Sequence, residues 1–373
     1  MSRRWFLGIG CMGLLILLGA IAGEAVLRSR PGWLPPQWQI RMHERTRKHR
    51  TVPHADIGFL LHPHQHQQTR NRDYDYLKET DAHGFPNREP WPEQAEIVFL
   101  GDSLLTGEGV GIDHQFSTLI DRQLPNLKVI NFGVPGAGPE RQYRVYRQFD
   151  IGHHPHVVVA CWYLASDLDN DTHFDAWLKD DGGMTFNRFR LTYARRAAPK
   201  PPISRLTRLL RRSVLYGYGQ AWLQHIDGER TPWRARRQFD DGTEMIFDER
   251  KLPFITTAVT AEDPRLLRAM ASLKRLQALA ASRQAKVVVM LLPSKEEMYF
   301  GDAVETETPT MLTRMRQYLH SARVPTIDLY EILRRRGRTQ VPFFPRDSHL
   351  NHDGNRIVAE YFVAWWQAQD GLM

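Results

Sequence analysis

Three residues of this sequence have the types and spacing that nucleophilic catalysis requires. Ser103 follows the apolar run Ile97–Leu100, and Asp347 and His349 stand two apart in the stretch FFPRDSHLNHDGNRI. A serine hydroxyl becomes an effective nucleophile when a neutral histidine takes its proton and a carboxylate orients that histidine. We therefore predict that Ser103 is the nucleophile, His349 the base and Asp347 the orienting acid. The alternatives are that Ser103 only caps a helix, and that Asp347 and His349 clamp a loop or bind a metal.

Acyl transfer also needs hydrogen-bond donors for the negative charge that develops on the carbonyl oxygen. One candidate is the backbone amide of Ser103, which we place at the N-terminus of a helix. A second is Gly136 in the glycine-rich stretch VINFGVPGAG, where the backbone can approach a ligand closely. The stretch YLASDLDND offers a side-chain donor in Ser166 or, alternatively, in Asn170. We expect no metal site, because further ligands do not stand near Asp347 at a recognisable spacing.

The elements that position these residues alternate between apolar strands and amphipathic helices. The pattern predicts strands at 97–100, 129–131, 157–162, 287–292 and 326–328, and helices at 116–124, from 138, 264–282 and 357–365. Apolar strands without alternation, separated by helices, indicate a parallel sheet that is covered on both faces. Ligands bind beyond the carboxyl ends of such strands, which is where Ser103, Gly136 and Ser166 stand.

Taken together, these blocks resemble those of the SGNH hydrolase superfamily, the GDSL esterases. Gly101–Leu104 is similar to the block that carries the nucleophile, and Gly136 falls at the glycine of the second block. Asp347 and His349 match the terminal block that carries acid and base. The resemblance implies a flavodoxin-like α/β/α sandwich with a mostly parallel five-stranded sheet. It also implies serine ester chemistry without a cofactor.

Two departures from the superfamily pattern bear on the reaction. Ser166 stands where the third block usually has an asparagine that donates to the oxyanion. Asp347 and His349 are two apart, where three is more usual. The shorter spacing resembles branches that acetylate or deacetylate exported polysaccharide, including the alginate acetyltransferases. In those branches a Pro-x-Lys element follows the fourth strand, and its similarity to Pro293-Ser294-Lys295 implies that Lys295 binds substrate.

The N-terminal segment has a different character from the rest of the chain. It runs from Trp5 to Ala22 without a charge, about 18 residues or roughly 27 Å of helix, close to the thickness of a bilayer core. We predict an N-terminal transmembrane helix that anchors the protein. The alternative is a signal peptide cleaved near Ala20-Ile21-Ala22. Either way we place the catalytic domain outside the cytoplasm, in the periplasm if the source is a Gram-negative bacterium.

The predicted organisation has five parts. They are an anchor over 1–30, a stalk and irregular lead-in over 31–95, the first half of the catalytic domain over 96–171, a largely helical insertion over 172–262, and the second half over 263–373. Within the insertion, 204–218 predicts a helix with an arginine-rich face. That helix is either a lid on the domain or a surface that lies on a membrane.

Composition narrows the choice of partners. The net charge is +8, yet no nucleic-acid-binding motif is present, so we expect no nucleic acid partner. With only Cys11 and Cys161, a disulfide framework is excluded. The expected partners are an acylated glycan or lipid substrate, the membrane, and other polysaccharide-modification proteins.

These observations predict a membrane-tethered serine esterase or O-acetyltransferase that acts on envelope or exported glycan. One alternative is a lipid-directed esterase, which would be favoured if the arginine-rich helix faces the membrane. Another is a non-catalytic glycan-binding scaffold on a degenerate fold, for which Ser166 is the best support. The intact set of Ser103, Asp347 and His349 argues against the scaffold.

Overall fold

The structure is a computed structural model. It describes residues 3–30, 51–149, 152, 154–180, 182–197, 213, 215–216, 234–239, 242–248, 251, 257–300, 309–337 and 340–369. The chain divides into two compact units. The smaller comprises 1–48, 70–72 and 195–232, and the larger comprises 49–69, 73–194 and 233–373. All the residues predicted to do chemistry belong to the larger unit.

The predicted anchor segment is a helix, α1 (Arg3–Ser29). Among the described residues, however, no helix is sufficiently long and apolar to cross a membrane, so the predicted transmembrane helix is not supported. Exposed apolar side chains of α1 lie between Met12 and Ile21. Charged residues follow them, beginning within one turn at Glu24. Glu24 and Arg28 form an ion pair there, with 2.7 Å between Oε1 and Nε.

The lead-in to the catalytic domain is more regular than the sequence predicted. It contains β1 (Thr51–His54) paired antiparallel with β2 (Gly58–Leu61), and β3 (His66–Arg70) beside β4 (Asp75–Glu79). These strands are too short for their periodicity to stand out in a segment rich in Pro, His and Arg. Only 31–50 of the predicted stalk lies outside the described residues.

The central sheet confirms the predicted parallel architecture. The remaining strands are β5 (Ile97–Gly101), β6 (Val129–Gly133), β7 (Val157–Tyr163), β8 (Arg234–Gln238), β9 (Glu244–Asp248), β10 (Lys286–Leu292) and β11 (Thr326–Asp328). Five of them form one sheet in the order β11-β10-β7-β5-β6, and every neighbouring pair is parallel. Numbered along the chain, this is the order 2-1-3-4-5 of flavodoxin-like sheets.

Helices cover both faces of this sheet. They are α2 (Phe116–Gln123), α3 (Pro139–Phe149), α4 (Asp167–Leu178), α5 (Phe186–Ala197), α6 (Pro264–Ser282), α7 (Lys295–Phe300), α8 (Met311–Ser321), α9 (Tyr330–Arg336) and α10 (His352–Gln367).

Alternate residues of β5 point into two separate apolar cores. Val98 and Leu100 pack with α3 and α6, whereas Ile97 and Phe99 pack with α2 and α10. Burial on both faces explains why the strand is apolar throughout.

Where it is described, the insertion over 172–262 contains the end of α4, the helix α5 and an antiparallel hairpin of β8 and β9, which the sequence analysis did not predict. The predicted arginine-rich helix at 204–218 lies outside the described residues except for 213, 215 and 216. The hairpin contacts the catalytic half of the domain, because the Ile246 amide donates to the Pro345 carbonyl oxygen at 2.8 Å.

Candidate active site

Ser103 lies in a turn directly after β5. The Thr106 amide donates to the Asp102 carbonyl (3.1 Å) and the Glu108 amide to the Ser103 carbonyl (3.2 Å). The turn does not lead directly into a helix, since a short 3₁₀ helix begins at Ile112 and the next α-helix only at Phe116. The predicted helix N-terminus at Ser103 is therefore wrong. The tight backbone of the turn, and not a helix dipole, orients the serine.

The structure brings the predicted nucleophile, base and acid together. His349 Nε2 lies 2.8 Å from Ser103 Oγ. On the other side of the imidazole ring, Nδ1 contacts Asp347 Oδ1, and that same oxygen accepts the His349 backbone amide at 3.0 Å. This arrangement orients the ring so that one nitrogen faces the serine and the other faces a carboxylate.

A closed loop presents Asp347 and His349 to the serine. Its ends are joined by an antiparallel bridge between Phe343 and Leu350, and the Phe344 amide donates to the His349 carbonyl at 3.1 Å. Asp73 holds its outer side by accepting the Asp347 amide at 2.6 Å. These bonds make the two-residue spacing of acid and base possible within a single tight turn.

Lys295 contacts this loop from the start of α7. It is the first residue of α7 and is only 1% exposed. Its Nζ donates hydrogen bonds to the carbonyl oxygens of Phe344, Pro345 and Asp347, at 3.3, 3.2 and 3.0 Å respectively. Burial lowers the pKa of Lys295 to about 8, against the opposing charges of Glu296, Asp73 and Asp347. We conclude that Lys295 positions the loop rather than binding substrate.

The electrostatics of the acid and base favour an ion pair. Burial by itself raises the pKa of Asp347, but the hydrogen bond and charge of His349 outweigh it and leave that pKa below its ordinary value. Burial likewise lowers the pKa of His349, and the hydrogen bond and charge of Asp347 more than reverse this. Glu108 and Asp102 add to the rise in the pKa of His349. The imidazolium is thus stabilised in place.

Sequence reasoning missed a buried polar cluster behind Asp347. Lys78 and Glu108 form an ion pair with 2.6 Å between Nζ and Oε2, and both side chains are 9% exposed. The Tyr74 hydroxyl lies 3.5 Å from Glu108 Oε1 and 3.4 Å from Asp347 Oδ2. Tyr74 and Lys78 come from the lead-in. β4 buries alternate residues, but the strand is short and one of its buried positions is Lys78, so its sequence shows no apolar alternation.

Asp102, the residue before the nucleophile, has a buried carboxylate. Asp102 accepts the Leu104 amide at 2.9 Å and lies 3.4 Å from the Ser103 hydroxyl. Burial raises the pKa of Asp102 and raises that of Asp167 well above its ordinary value, and the charge of Asp102 adds to the rise at Asp167. Asp167 in turn accepts the Tyr163 amide at 2.9 Å, which fixes the end of β7.

Gly136, the candidate oxyanion donor after β6, lies in a turn with an unusual backbone conformation. Its φ is +68°, a left-handed conformation that favours glycine. The fully buried Arg141 donates to the carbonyl oxygens of Pro135 (3.3 Å) and Gly136 (3.0 Å), which fixes this turn. Among the described residues, no acceptor takes the Gly136 amide proton. The amide is therefore available to a ligand.

The candidate side-chain donors are Ser166 and Asn170 at the start of α4. Ser166 occupies the N-cap position, but its hydroxyl makes no capping hydrogen bond. Asn170 lies one turn further on, and its Nδ2 is 3.6 Å from the position that a Gly136 side chain would occupy. Asn170 is thus the candidate that the structure places against Gly136.

The turns after β5, β6 and β7 lie together because these three strands are neighbours in the sheet. In the sheet β5 lies between β6 and β7, and the Val134 amide donates to the Gly101 carbonyl at 2.9 Å. The turns that carry Gly136, Ser103 and Ser166 therefore leave the same edge of the sheet side by side. Over the described residues, no three His, Cys, Asp or Glu side chains cluster as metal ligands would.

A family model matches the C-terminal part of the chain. Residues 254–371 match the SGNH hydrolase-like domain of acetyltransferase AlgX, and this segment includes Asp347 and His349. The match confirms the resemblance to the SGNH hydrolase superfamily. It supports an esterase or acetyltransferase activity in general terms. No curated protein matches the chain.

Solved structures with similar folds have low sequence identity to this chain. A member of the lipolytic protein G-D-S-L family from Veillonella parvula DSM 2008 is 12% identical, covers 73% of this chain and 98% of its own, and has a TM-score of 0.38. The acetyl xylan esterase AlAXEase is 13% identical, covers 73% of this chain and 98% of its own, and has a TM-score of 0.37. The lipase/acylhydrolase from Enterococcus faecalis is 14% identical, covers 74% of this chain and 97% of its own, and also has a TM-score of 0.37.

Proposed function

We propose that this protein is a serine esterase or O-acetyltransferase that acts on O-acetyl groups of a glycan through an acyl-serine intermediate. One observation carries the proposal. His349 Nε2 lies 2.8 Å from Ser103 Oγ, and its other ring nitrogen contacts Asp347. A histidine bridged in this way between a serine and a carboxylate can take the proton of the serine as it attacks an ester.

In the first half of the reaction, Ser103 Oγ attacks the ester carbonyl carbon while its proton passes to His349 Nε2. Asp347 stabilises the imidazolium that forms. The carbonyl oxygen gains a negative charge, which the Gly136 amide and a side chain from the start of α4 stabilise by hydrogen bonding. When the tetrahedral intermediate collapses, the sugar oxygen leaves with the proton from His349 and the acetyl group remains on Ser103.

In the second half, an acceptor hydroxyl attacks the acetyl-serine and His349 takes its proton. Water as acceptor gives acetate and makes the protein an esterase. A sugar hydroxyl gives a new acetyl ester and makes it a transferase. In both cases His349 returns the proton to Ser103 Oγ.

The choice of an acetyl group and of a glycan as its carrier has two supports. One is that the matched family model is described as an acetyltransferase, which supports transfer of an acetyl group. The other is the two-residue spacing of Asp347 and His349, which resembles that of the polysaccharide branches. The location of the domain outside the cytoplasm stays a prediction.

A fluorophosphonate probe tests the nucleophile. The full chain should be labelled once, and Ser103→Ala should abolish the label. Ser282→Ala is the matched control, because Ser282 is an exposed serine at the end of α6. Persistent labelling of the Ser103→Ala variant would contradict the assignment of Ser103.

Product analysis tests the reaction. The protein is incubated with acetylated oligosaccharides, with and without an unacetylated acceptor, and free acetate and new esters are measured. Activity that Ser103→Ala removes supports the proposal, whether acetate or a new ester is formed. Labelling without turnover of any acetylated glycan, together with turnover of acyl lipids, would contradict the glycan and favour the lipid-directed alternative.

A further inference from the structure

Arg190, which lies near Gly136, is a cation without a hydrogen-bond or ion-pair partner among the described residues. It lies on α5, one turn after Phe186, so the two side chains share a helix face. Phe186 is 1% exposed, and the Arg190 guanidinium carbon lies 5.6 Å from the centre of its ring. In the part of the chain that the structure describes, the half-buried guanidinium has no hydrogen bond and no ion pair.

One guanidinium nitrogen of Arg190 lies close to Gly136. This nitrogen, Nη1, lies 3.8 Å from the position that a Gly136 side chain would occupy, and Asn170 Nδ2 lies 3.6 Å from the same point. The side-chain amide of Asn170 makes no hydrogen bond to any described residue either. Three donors that have no acceptor among the described residues, the Gly136 amide, the Asn170 side-chain amide and the Arg190 guanidinium, therefore lie near one another.

The charge of Arg190 is unfavourable at this partly buried position. Burial lowers the pKa of Arg190, so the fold pays a cost to keep this charge. The pKa of His173 is lowered by its own burial and by the charge of Arg190. An anion that forms beside Gly136 would relieve the repulsion and satisfy the donors.

We infer that Arg190, together with Asn170, stabilises the oxyanion in place of the side-chain amide that Ser166 lacks. The inference rests on the proposed function. As Ser103 Oγ bonds to the carbonyl carbon, the carbonyl π electrons move to oxygen and the hydroxyl proton goes to His349. Arg190 donates a charge-assisted hydrogen bond to that oxygen and loses it when the carbonyl re-forms. The insertion thus supplies a catalytic residue.

The first test replaces the cation and keeps a hydrogen-bonding group. With a neutral aryl acetate as substrate, Arg190→Gln should lower kcat by roughly 10²–10³-fold and leave KM nearly unchanged. Arg188→Gln is the matched control, since Arg188 is exposed on the same helix and should keep wild-type kcat. Both variants should keep the melting temperature of the wild type within a few degrees.

The second test asks whether Arg190 replaces the missing asparagine. Ser166→Asn restores the side-chain amide of the superfamily pattern. In the Arg190→Gln background it should recover kcat by at least about tenfold, whereas in the wild type it should change kcat by less than that. A merely structural role for Arg190 predicts no such rescue.

Two outcomes would overturn the inference. One is an Arg190→Gln variant as active on the neutral ester as Arg188→Gln. The other is a variant with normal kcat whose KM rises only for anionic substrates, because Arg190 would then bind the substrate and not the oxyanion. In both cases Ser103 still forms an acyl-enzyme. A wild-type protein that is neither labelled nor active would instead contradict the proposed function itself.

Discussion

The Lys295 ammonium lies 3.0 Å from the main-chain carbonyl oxygen of Asp347 and donates a hydrogen bond to it. Through this bond and two more to the Phe344 and Pro345 carbonyls, one buried cation holds the loop that carries both acid and base. The distance between His349 and Ser103 thus depends on a residue that touches neither of them.

Lys295→Met should lower kcat and the free energy of unfolding together. The change leaves three carbonyl oxygens without their donor, and we expect a loss of roughly 2–4 kcal/mol in urea unfolding. A substrate-binding lysine would instead raise KM alone. Lys274→Met, an exposed lysine on α6, is the control and should change neither quantity.

The stability difference between the wild type and Lys295→Met should also depend on pH. The pKa of Lys295 is lowered from 10.5 to about 8, so between these values the folded protein binds fewer protons than the unfolded chain. Stability due to this group therefore rises with pH across that window. A difference that stays constant from pH 7 to pH 10 would contradict the buried position of the ammonium.

The rate should rise with pH through one ionisation whose midpoint lies above 6.5. A protonated His349 cannot take the proton of Ser103, and Asp347, Glu108 and Asp102 all raise the pKa of His349. We would measure kcat/KM for an aryl acetate from pH 5 to pH 9. A midpoint well below 6.5 would mean that burial, and not the carboxylates, controls this histidine.

Asp347→Asn should cost far more activity than stability. The amide nearly keeps the shape of the carboxylate but no longer stabilises the imidazolium, so we expect kcat to fall roughly 10³–10⁴-fold. The midpoint of the residual activity should move to lower pH. Asp353→Asn changes a half-exposed carboxylate in the first turn of α10 and serves as the control. If Asp347 only braces its loop, the melting temperature would fall while turnover of the folded protein stayed near normal.

Gly136→Ala should separate backbone strain from loss of the donor site. The new methyl group has room, since its nearest neighbour is 3.6 Å away, so the main stability cost is the φ of +68°, about 1 kcal/mol. The methyl group would nevertheless stand between Asn170 and Arg190, and we expect kcat to fall about 10²-fold. Gly183→Ala has a similar φ of +64° in open space and should cost stability without activity. Equal activities of the two variants would remove Gly136 from the site.

Several features of the fold and site were open to prediction from the sequence. The five apolar runs predicted the parallel sheet, because a strand that is buried on both faces must be apolar at every position. The blocks around Ser103, Gly136 and His349 could be found because each follows a strand. The predicted helix at Ser103 is replaced by a turn. Backbone hydrogen bonds close this turn, and they cannot be predicted from the pattern of side chains.

Other features could not be predicted because their partners are far apart in the chain. Lys78 and Glu108 are buried only because they neutralise each other, and neither residue type indicates burial by itself. The N-terminal apolar run predicted a transmembrane helix that the described part of the structure does not support. The irregular composition of the lead-in concealed the strands that bring Tyr74 to Asp347.

The sequence by itself determined the order of the elements and which serine, histidine and aspartate follow which strands. These properties are local, since periodicity and strand ends depend on residues that are neighbours in the sequence. Only the tertiary structure decided that Lys295 serves the acid loop and that Arg190 faces Gly136. Arg190 reaches that place because Phe186, on the same face of its helix, is buried in the core beside Phe59 and Phe174. Which apolar residue of an insertion enters a core depends on the free energy of packing against distant parts of the chain, and no local pattern contains that information.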